Sequence, residues 1–426
     1  MKTMKLTRLV PVVVGALVLT ACGSTTENPG EEGPVTVTMW ARAATGGITE
    51  TLVDTYNESQ DDVVVDLTVL PLNQEDSKFA AAVRSGSVPD IFGMNDISVP
   101  QFVQTGALRP LGDFIDSLSY GEYLNPGQVD LATYQGERYG VPLMLDLSVL
   151  WYNKDLFVQA GLDPDKPPTN AQELVEYARA ITALGGDIKG FTFGGNCGGC
   201  LTFTIEPMVF ATGDYVIEGD IGEQNVNIEG NDSLTAVLEM LRTMWDEELV
   251  PSQVRTEDGS TFGADFLSGT VGMATNGIGT ILAAHEGGFE LGVAPIPGPD
   301  GDYSTFAGGD VFVLPTAGDH VEEAQAFIDW VLQPEQQGLY PAAGFTPVRT
   351  DVLTDEFRAE NPFYAVALDA AARGYAPKTV AFQALYSNTG PWGPMFQRAI
   401  FDGDIDGALA QGQSGFEEVL SSVDTQ

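Results

Sequence analysis

The chain has 426 residues, with 19 Lys and Arg against 60 Asp and Glu, and its formal net charge of −41 excludes nucleic acid as a partner because phosphate backbones would be repelled. A hydrophobic content of 43% is too high for a disordered acidic chain, and the length exceeds what one core organises, so two domains are expected. Two histidines, His285 and His320, are too few for a zinc site beside the cysteines and supply no triad pattern.

The first residues read as an address rather than as fold. Lys2, Lys5 and Arg8 precede a short apolar run, Val10 to Leu19, about half the ~20 residues a membrane span needs. Leu19-Thr20-Ala21-Cys22 follows and resembles the lipobox at which bacterial signal peptides are cut and the new terminal cysteine is acylated. That resemblance implies a signal peptide over 1–21, lipidation at Cys22 and residence on the extracellular face of the cell membrane, and the competing reading is a membrane anchor with a chance cysteine. Residues 22–34 are polar, cannot bury a core and read as a flexible tether.

Val35, Val37 and Met39 alternate with Thr36 and Thr38, which predicts a strand ending at Trp40. A loop over Ala41 to Gly47 leads to a helix with Ile48, Leu52 and Tyr56 on one face, and the apolar run Val63 to Leu70 reads as a strand covered on both faces. This βαβ opening implies a parallel α/β sheet. Pro89 to Met94 is a further short strand, and Tyr139 to Tyr152 is an extended run long enough to cross between lobes.

Thr169-Asn170-Ala171-Gln172 has the form of a capping box, starting a helix that buries Leu174, Val175, Ala178 and Ile181. Another helix carries Leu234, Val237, Leu238, Leu241, Met244 and Trp245. Asp319-His320-Val321-Glu322 predicts the start of a helix with the stripe Val321, Ala324, Phe327, Ile328, Val331 and Leu332, closed by Pro334. Cys197 and Cys200, spaced C-G-G-C, are expected to form a disulfide outside the cell. So small a loop contributes only about 2 kcal/mol in the entropic account. A redox-active pair is the alternative, for which the glycine-rich surroundings offer no helix N-terminus or basic partner to activate a thiolate.

Taken in order, the segments resemble the extracellular solute-binding proteins of sugar-type ABC transporters, the maltose-binding-protein-like family. They are the strand into Trp40, Ser85 to Asp90, Val141-Pro142 running into Trp151-Tyr152-Asn153-Lys154-Asp155-Leu156-Phe157, Phe266 to Met273, Pro295 to Gly298, and Gly308-Gly309-Asp310. The resemblance implies a periplasmic-binding-protein-like α/β fold of type II, with two α/β lobes joined by hinge crossovers near Asp146, Phe306 and Arg349 and a ligand cleft between them. Lobe 1 would be 35–146 plus 307–349, and lobe 2 would be 147–306 plus 350–426.

Ligands of open parallel sheets sit beyond the carboxyl ends of the strands, where Trp40, Arg42, Asn95, Asp96, Asp146, Gly309 and Asp310 fall. Carboxylates and amides answer vicinal hydroxyls, and aromatic faces answer the apolar side of a sugar ring. Asp146, an acid inside an apolar run, needs a partner, either the ligand or an internal donor. Asn95 and Asp96 could equally be turn formers, and Arg42 could equally form a salt bridge. Phe203 and Trp392 are the candidate aromatic platforms, with core packing as their alternative, and Asn276 and Gly277 complete the set. Relatives commonly place a tryptophan after the Gly-x-x-x-Met segment, where this chain reads Asn276-Gly277-Ile278-Gly279-Thr280, so maltodextrin-like stacking is placed in doubt.

The expected function is therefore a substrate-binding lipoprotein that captures a sugar or short oligosaccharide and hands it to an ABC permease with its ATPase. It would be a membrane-anchored monomer without metal or cofactor. A polyamine or a glycerophosphate is the alternative solute. A secreted glycosidase is the enzyme alternative, and no Gly-x-Ser-x-Gly or His-Glu-x-x-His motif accompanies it.

Overall fold

The computed structural model describes residues 33–71 and 74–423. The signal, Cys22 and most of the tether lie outside the described residues. Eight strands make the main sheet: β1 (Val35–Arg42), β2 (Val63–Leu70), β3 (Ile91–Asn95), β4 (Val141–Asn153), β5 (Lys189–Thr192), β6 (Val271–Gly277), β7 (Leu291–Ala294) and β8 (Ala307–Val313). Their order is β2-β1-β3-β8-β4-β6-β5, with β7 also pairing β4.

The opening unit is parallel: β1 pairs β2 over Val35↔Val63 to Arg42↔Leu70 and pairs β3 from Met39↔Ile91. The intervening helix Gly46–Ser59 buries Ile48, Leu52 and Tyr56, as their four-residue spacing requires. β2, however, is an edge strand whose buried positions are Val65 and Leu70, with Val64 38% exposed. Val64, Asp66 and Thr68 alternate with the inward positions and are exposed, so the apolar run is open to solvent on one face, and strand order leaves its outer edge unpaired.

β4 holds the sheet together. Val141 to Leu147 lie against β8, whereas Ser148 to Asn153 lie against β6 and β7, all antiparallel. The partners change between Leu147 and Ser148, one residue past Asp146. There Ser148 Oγ accepts from the Phe306 amide at 2.9 Å, and Thr305 Oγ1 donates to the Ser148 carbonyl at 2.7 Å, locking β4 to the chain entering β8. A third connection follows Thr346, paired with Leu145, and Arg349, paired with Leu124.

Two helix starts differ in detail from expectation. In helix Ala171–Thr182 the cap is Asn170, accepting from the Glu173 amide at 2.9 Å, and Glu173 reaches back to the Thr169 amide at 2.8 Å. The box therefore sits one residue later than the pattern suggested. Leu174, Val175, Ala178 and Ile181 are buried, and at roughly 1.5–3 kcal/mol for a large apolar side chain against about 1 for a cap, packing decides where the helix lies. Helix Val321–Val331 has no side-chain cap from His320. The amides of Asp319 and His320, just ahead of it, donate to Asp90 Oδ1 at 2.9 and 3.1 Å and fix the chain's entry into the helix. Among the described residues no helix is long and apolar enough to cross a membrane.

Candidate functional site

At the carboxyl end of β1, Arg42 Nε donates to Glu75 Oε1 at 3.1 Å and its Nη1 donates to Asp310 Oδ1 at 2.5 Å. Thr45 Oγ1 donates to Asp310 Oδ2 at 2.9 Å, so the fully buried Asp310 is held by two partners. Burial works against the Arg42 charge, but Asp310 and Glu75 outweigh it and hold the guanidinium more firmly protonated than a free arginine. Arg42 is thus already engaged by two carboxylates. Glu75 and Thr45 were not legible as site residues: one looks like an ordinary first-turn acid, the other like loop.

Asp96 follows β3 and is fully buried, yet neither carboxylate oxygen has a partner of normal hydrogen-bond geometry. Burial and then Asp310 push its pKa up to about 8, although the Ile97 and Gly309 amides and Gln128 favour the ionised form. The Gln128 side-chain amide is spent on the Met144 carbonyl at 2.8 Å. Asn95 behaves as a turn former, its Oδ1 accepting from the Ile97 amide at 3.3 Å.

Asp146 lies opposite Gly308 in the β4–β8 ladder, and Asp310 is two residues further along β8. Directly opposed residues share a face of the sheet, as do residues two apart. Burial first, then Asp310, push the Asp146 pKa up to about 7, with Arg42 opposing. A side chain on Gly277 would meet Asp146 Oδ1 at 3.1 Å, Thr280 Oγ1 at 3.1 Å and Phe203 Cε1 at 3.3 Å. A side chain on Gly308 would meet the Phe306 ring at 2.6 Å and Asp96 Oδ1 at 3.2 Å. The Phe203 and Phe306 rings meet edge to face at 5.3 Å. Two glycines therefore leave room at the strand crossing for two aromatic rings flanked by the carboxylates. Phe306 appeared in the sequence only as a hinge position.

Other candidates fall elsewhere. Trp392 is fully buried among Tyr386, Phe396 and Phe416, with ring centroids 4.8–5.9 Å away, so it is core and offers no free platform. Asn276 is 1% exposed; its Oδ1 accepts from the Gly277 amide at 2.8 Å and its buried Nδ2 has no hydrogen-bond partner. Gly309 answers a packing demand, since a Cβ there would lie 2.1 Å from the Met144 carbonyl oxygen. Trp40 keeps partial exposure and packs edge to face on Phe92 at 6.3 Å. Gly279, in the segment that follows β6, has the Gly344 carbonyl oxygen 1.6 Å from its would-be Cβ, which leaves no space for any side chain.

Cys197 and Cys200 are bonded, with Cα atoms 5.1 Å apart, at the start of helix Gly198–Thr204 that carries Phe203, so a helix N-terminus does lie beside the pair, contrary to the reading of its glycine-rich sequence. A hollow of about 470 Å³ lies nearby, lined by Asn196, Gln397, Arg398 and Gln411 among others. Its arginine is already spent on Asp404 at 2.5 Å and Gln411 at 3.0 Å. No group of three or more His, Cys, Asp or Glu able to hold a metal ion occurs among the described residues.

The model of the bacterial extracellular solute-binding protein family matches residues 42–338, well over half of the chain. The chain belongs to this family. It is similar to the maltooligosaccharide ABC transporter solute-binding lipoprotein of Streptococcus pneumoniae, 27% identical over 80% of this chain and 79% of that protein. Among solved structures it resembles the cyclic α-maltosyl-1,6-maltose binding protein of Arthrobacter globiformis, at 25% identity and a TM-score of 0.76, covering 92% of this chain and 100% of that one. An ABC transporter solute-binding protein of Thermotoga lettingae, bound with α-D-tagatose, matches with a TM-score of 0.78 at 20% identity, covering 91% of this chain and 100% of that one. The fold is accordingly the type II solute-binding architecture, and its family is one of transport binding proteins rather than of enzymes.

Proposed function

We propose that this chain is the substrate-binding lipoprotein of an ABC importer, capturing a sugar or short oligosaccharide outside the cell and delivering it to a membrane permease driven by a separate ATPase. The observation that carries the reading is the convergence of Asp146 Oδ1, Thr280 Oγ1 and Phe203 over Gly277 where β4 changes partners. A carboxylate, a hydroxyl and an aromatic edge brought together at one point of the sheet are the kinds of group that vicinal hydroxyls and the apolar face of a sugar ring require. The sugar-named relatives support the same class.

The lobes in this reading are 35–146 with 307–349, and 147–306 with 350–426, and delivery follows their closure on the ligand. Contacts across that division support closure: Lys378 Nζ lies 3.2 Å from Asp130 Oδ1, and Ile97 and Leu131 share a core with Phe382. Acylation at Cys22 and the tether would hold the monomer at the outer membrane face, beside the permease. With Gly279 buried against Gly344, a small or differently stacked sugar fits better than a maltodextrin.

Thermal denaturation against mono- and oligosaccharides, polyamines and glycerophosphates tests the reading, because a ligand of the folded state raises stability by RT ln(1 + [L]/Kd). A sugar is expected to raise Tm, and Asp146→Ala to abolish the rise. A full rise in that variant, or a rise with polyamine or glycerophosphate alone, would overturn it.

A further inference from the structure

We propose that the segment 375–386 is a latch between the lobes whose grip strengthens with ionic strength, so that closure over the solute is favoured in salt and opposed in dilute solution. The inference rests on the two-lobe closure reading and not on the identity of the solute.

The segment belongs to lobe 2 by its anchors. At its start the Tyr375 amide donates to the Thr305 carbonyl at 3.1 Å, and further on the Lys378 carbonyl accepts from Gln224 Nε2 at 2.9 Å. At its end Tyr386 is fully buried in one core with Leu385 and Trp392. Pro377 fixes a backbone dihedral of the stretch between them. The side chains it leaves free of lobe 2 go to lobe 1. Helix Phe382–Tyr386 packs on the turn Asp96–Ser98, which places Phe382 in one buried cluster with Ile97 and Leu131. Lys378 Nζ reaches Asp130 Oδ1 at 3.2 Å.

Charge decides how this contact responds to salt. Lobe 1 carries 22 Asp and Glu against 6 Lys and Arg, and lobe 2 carries 35 against 10, so two strongly negative bodies meet. Among the described residues Lys378 and Asp130 form the one ion pair that joins them, apart from Arg349 and Asp351, which lie two residues apart at a crossover. The Asp130 side chain is 72% exposed, so the pair is too weak to offset the repulsion of the remaining acids. At about 0.01 M salt the screening length is ~30 Å and the charges of one lobe act throughout the other, whereas at about 1 M it is ~3 Å and only touching groups act. Salt thus removes one weak attraction and many repulsions. The apolar contact of Phe382 carries no charge to screen and persists. Because apparent affinity scales with the fraction of protein able to close, the same salt that docks the latch strengthens capture.

Small-angle scattering of the full chain without added solute, extrapolated to zero protein concentration, tests the latch. The radius of gyration is expected to fall toward about 22 Å, the value for a compact chain of this length, as NaCl rises from about 0.01 M to about 1 M. Lys378→Glu is expected to move that fall to higher salt. Lys166→Glu makes the same change of charge on an exposed lysine that pairs within lobe 2, and is expected to follow the parent. Phe382→Ala is expected to keep the chain expanded at every salt concentration. Circular dichroism and a retained melting transition at each salt concentration establish that all four proteins are folded. A radius that is independent of salt, or that grows with it, would overturn the proposal. So would Lys166→Glu moving the fall as far as Lys378→Glu does, or Phe382→Ala matching the parent. A salt-independent radius together with a sugar that raises Tm would remove the latch and leave the sugar reading standing.

Discussion

Asp96→Asn should stabilise the ligand-free protein, and the gain should grow with pH. The folded carboxyl is pushed up to about 8 from an ordinary 3.8, first by burial and then by Asp310. An acid whose folded pKa lies above its unfolded value binds more protons folded than unfolded in the interval between, so stability falls as pH rises through that interval. The slope is about 1.4 kcal/mol per pH unit, which gives a handicap of about 4 kcal/mol by pH 7 and none near pH 4. Asparagine does not titrate and escapes this handicap, but it stays buried without good partners, which costs about 1–3 kcal/mol. The variant should therefore be more stable than the parent by about 1–3 kcal/mol near neutral pH and no more stable near pH 4. Urea midpoints of the two proteins across that range measure the difference. A difference that is flat with pH, or a variant less stable than the parent near pH 8, would refute the reasoning.

Asp90 gives the opposite sign. Burial opposes its ionisation but is outweighed by the Thr38 amide and hydroxyl and the His320 and Asp319 amides, which bring its pKa down from 3.8 to about 2. That shift contributes about 2 kcal/mol above pH 4, lost as pH falls through about 2, so Asp90→Asn should lower Tm at neutral pH and converge with the parent in strong acid. Gly279→Ala adds one methyl group against the Gly344 carbonyl and should cost at least the ~1–3 kcal/mol of core overpacking; an unchanged Tm would place Gly279 elsewhere. Phe203→Ala should remove the sugar-induced rise in Tm with little effect on the ligand-free protein, whereas Trp392→Phe should lower the ligand-free Tm and keep the rise; the reverse pattern would exchange their roles.

What the sequence made legible follows from how local each cause is. The faces of helices Gly46–Ser59 and Ala171–Thr182 were readable because the 3.6-residue period is written in consecutive side chains. The crossing strand was readable from its length, and Asp146 because it interrupts an apolar run. The misreadings depend on distant chain. Nothing in Val63 to Leu70 reveals that no strand lies beyond it, and nothing near His320 reveals that Asp90, from a different segment, holds the chain just ahead of its helix. Phe203 and Trp392 are both aromatics within helices, and only packing separates the partly exposed ring beside Gly277 from the one enclosed by Tyr386 and Phe416.

Two buried acids define where this acidic chain is built for something other than stability. Asp90 and Asp96 lie at opposite ends of β3, one just before Ile91 and the other just after Asn95, and both are buried. The first meets backbone amides and a hydroxyl that lower its pKa to about 2; the second meets no donor of normal geometry and is raised to about 8. Burial alone cannot separate them, since it acts in the same direction on both. What differs is the supply of donors, which is ample before Ile91 and fails just after Asn95.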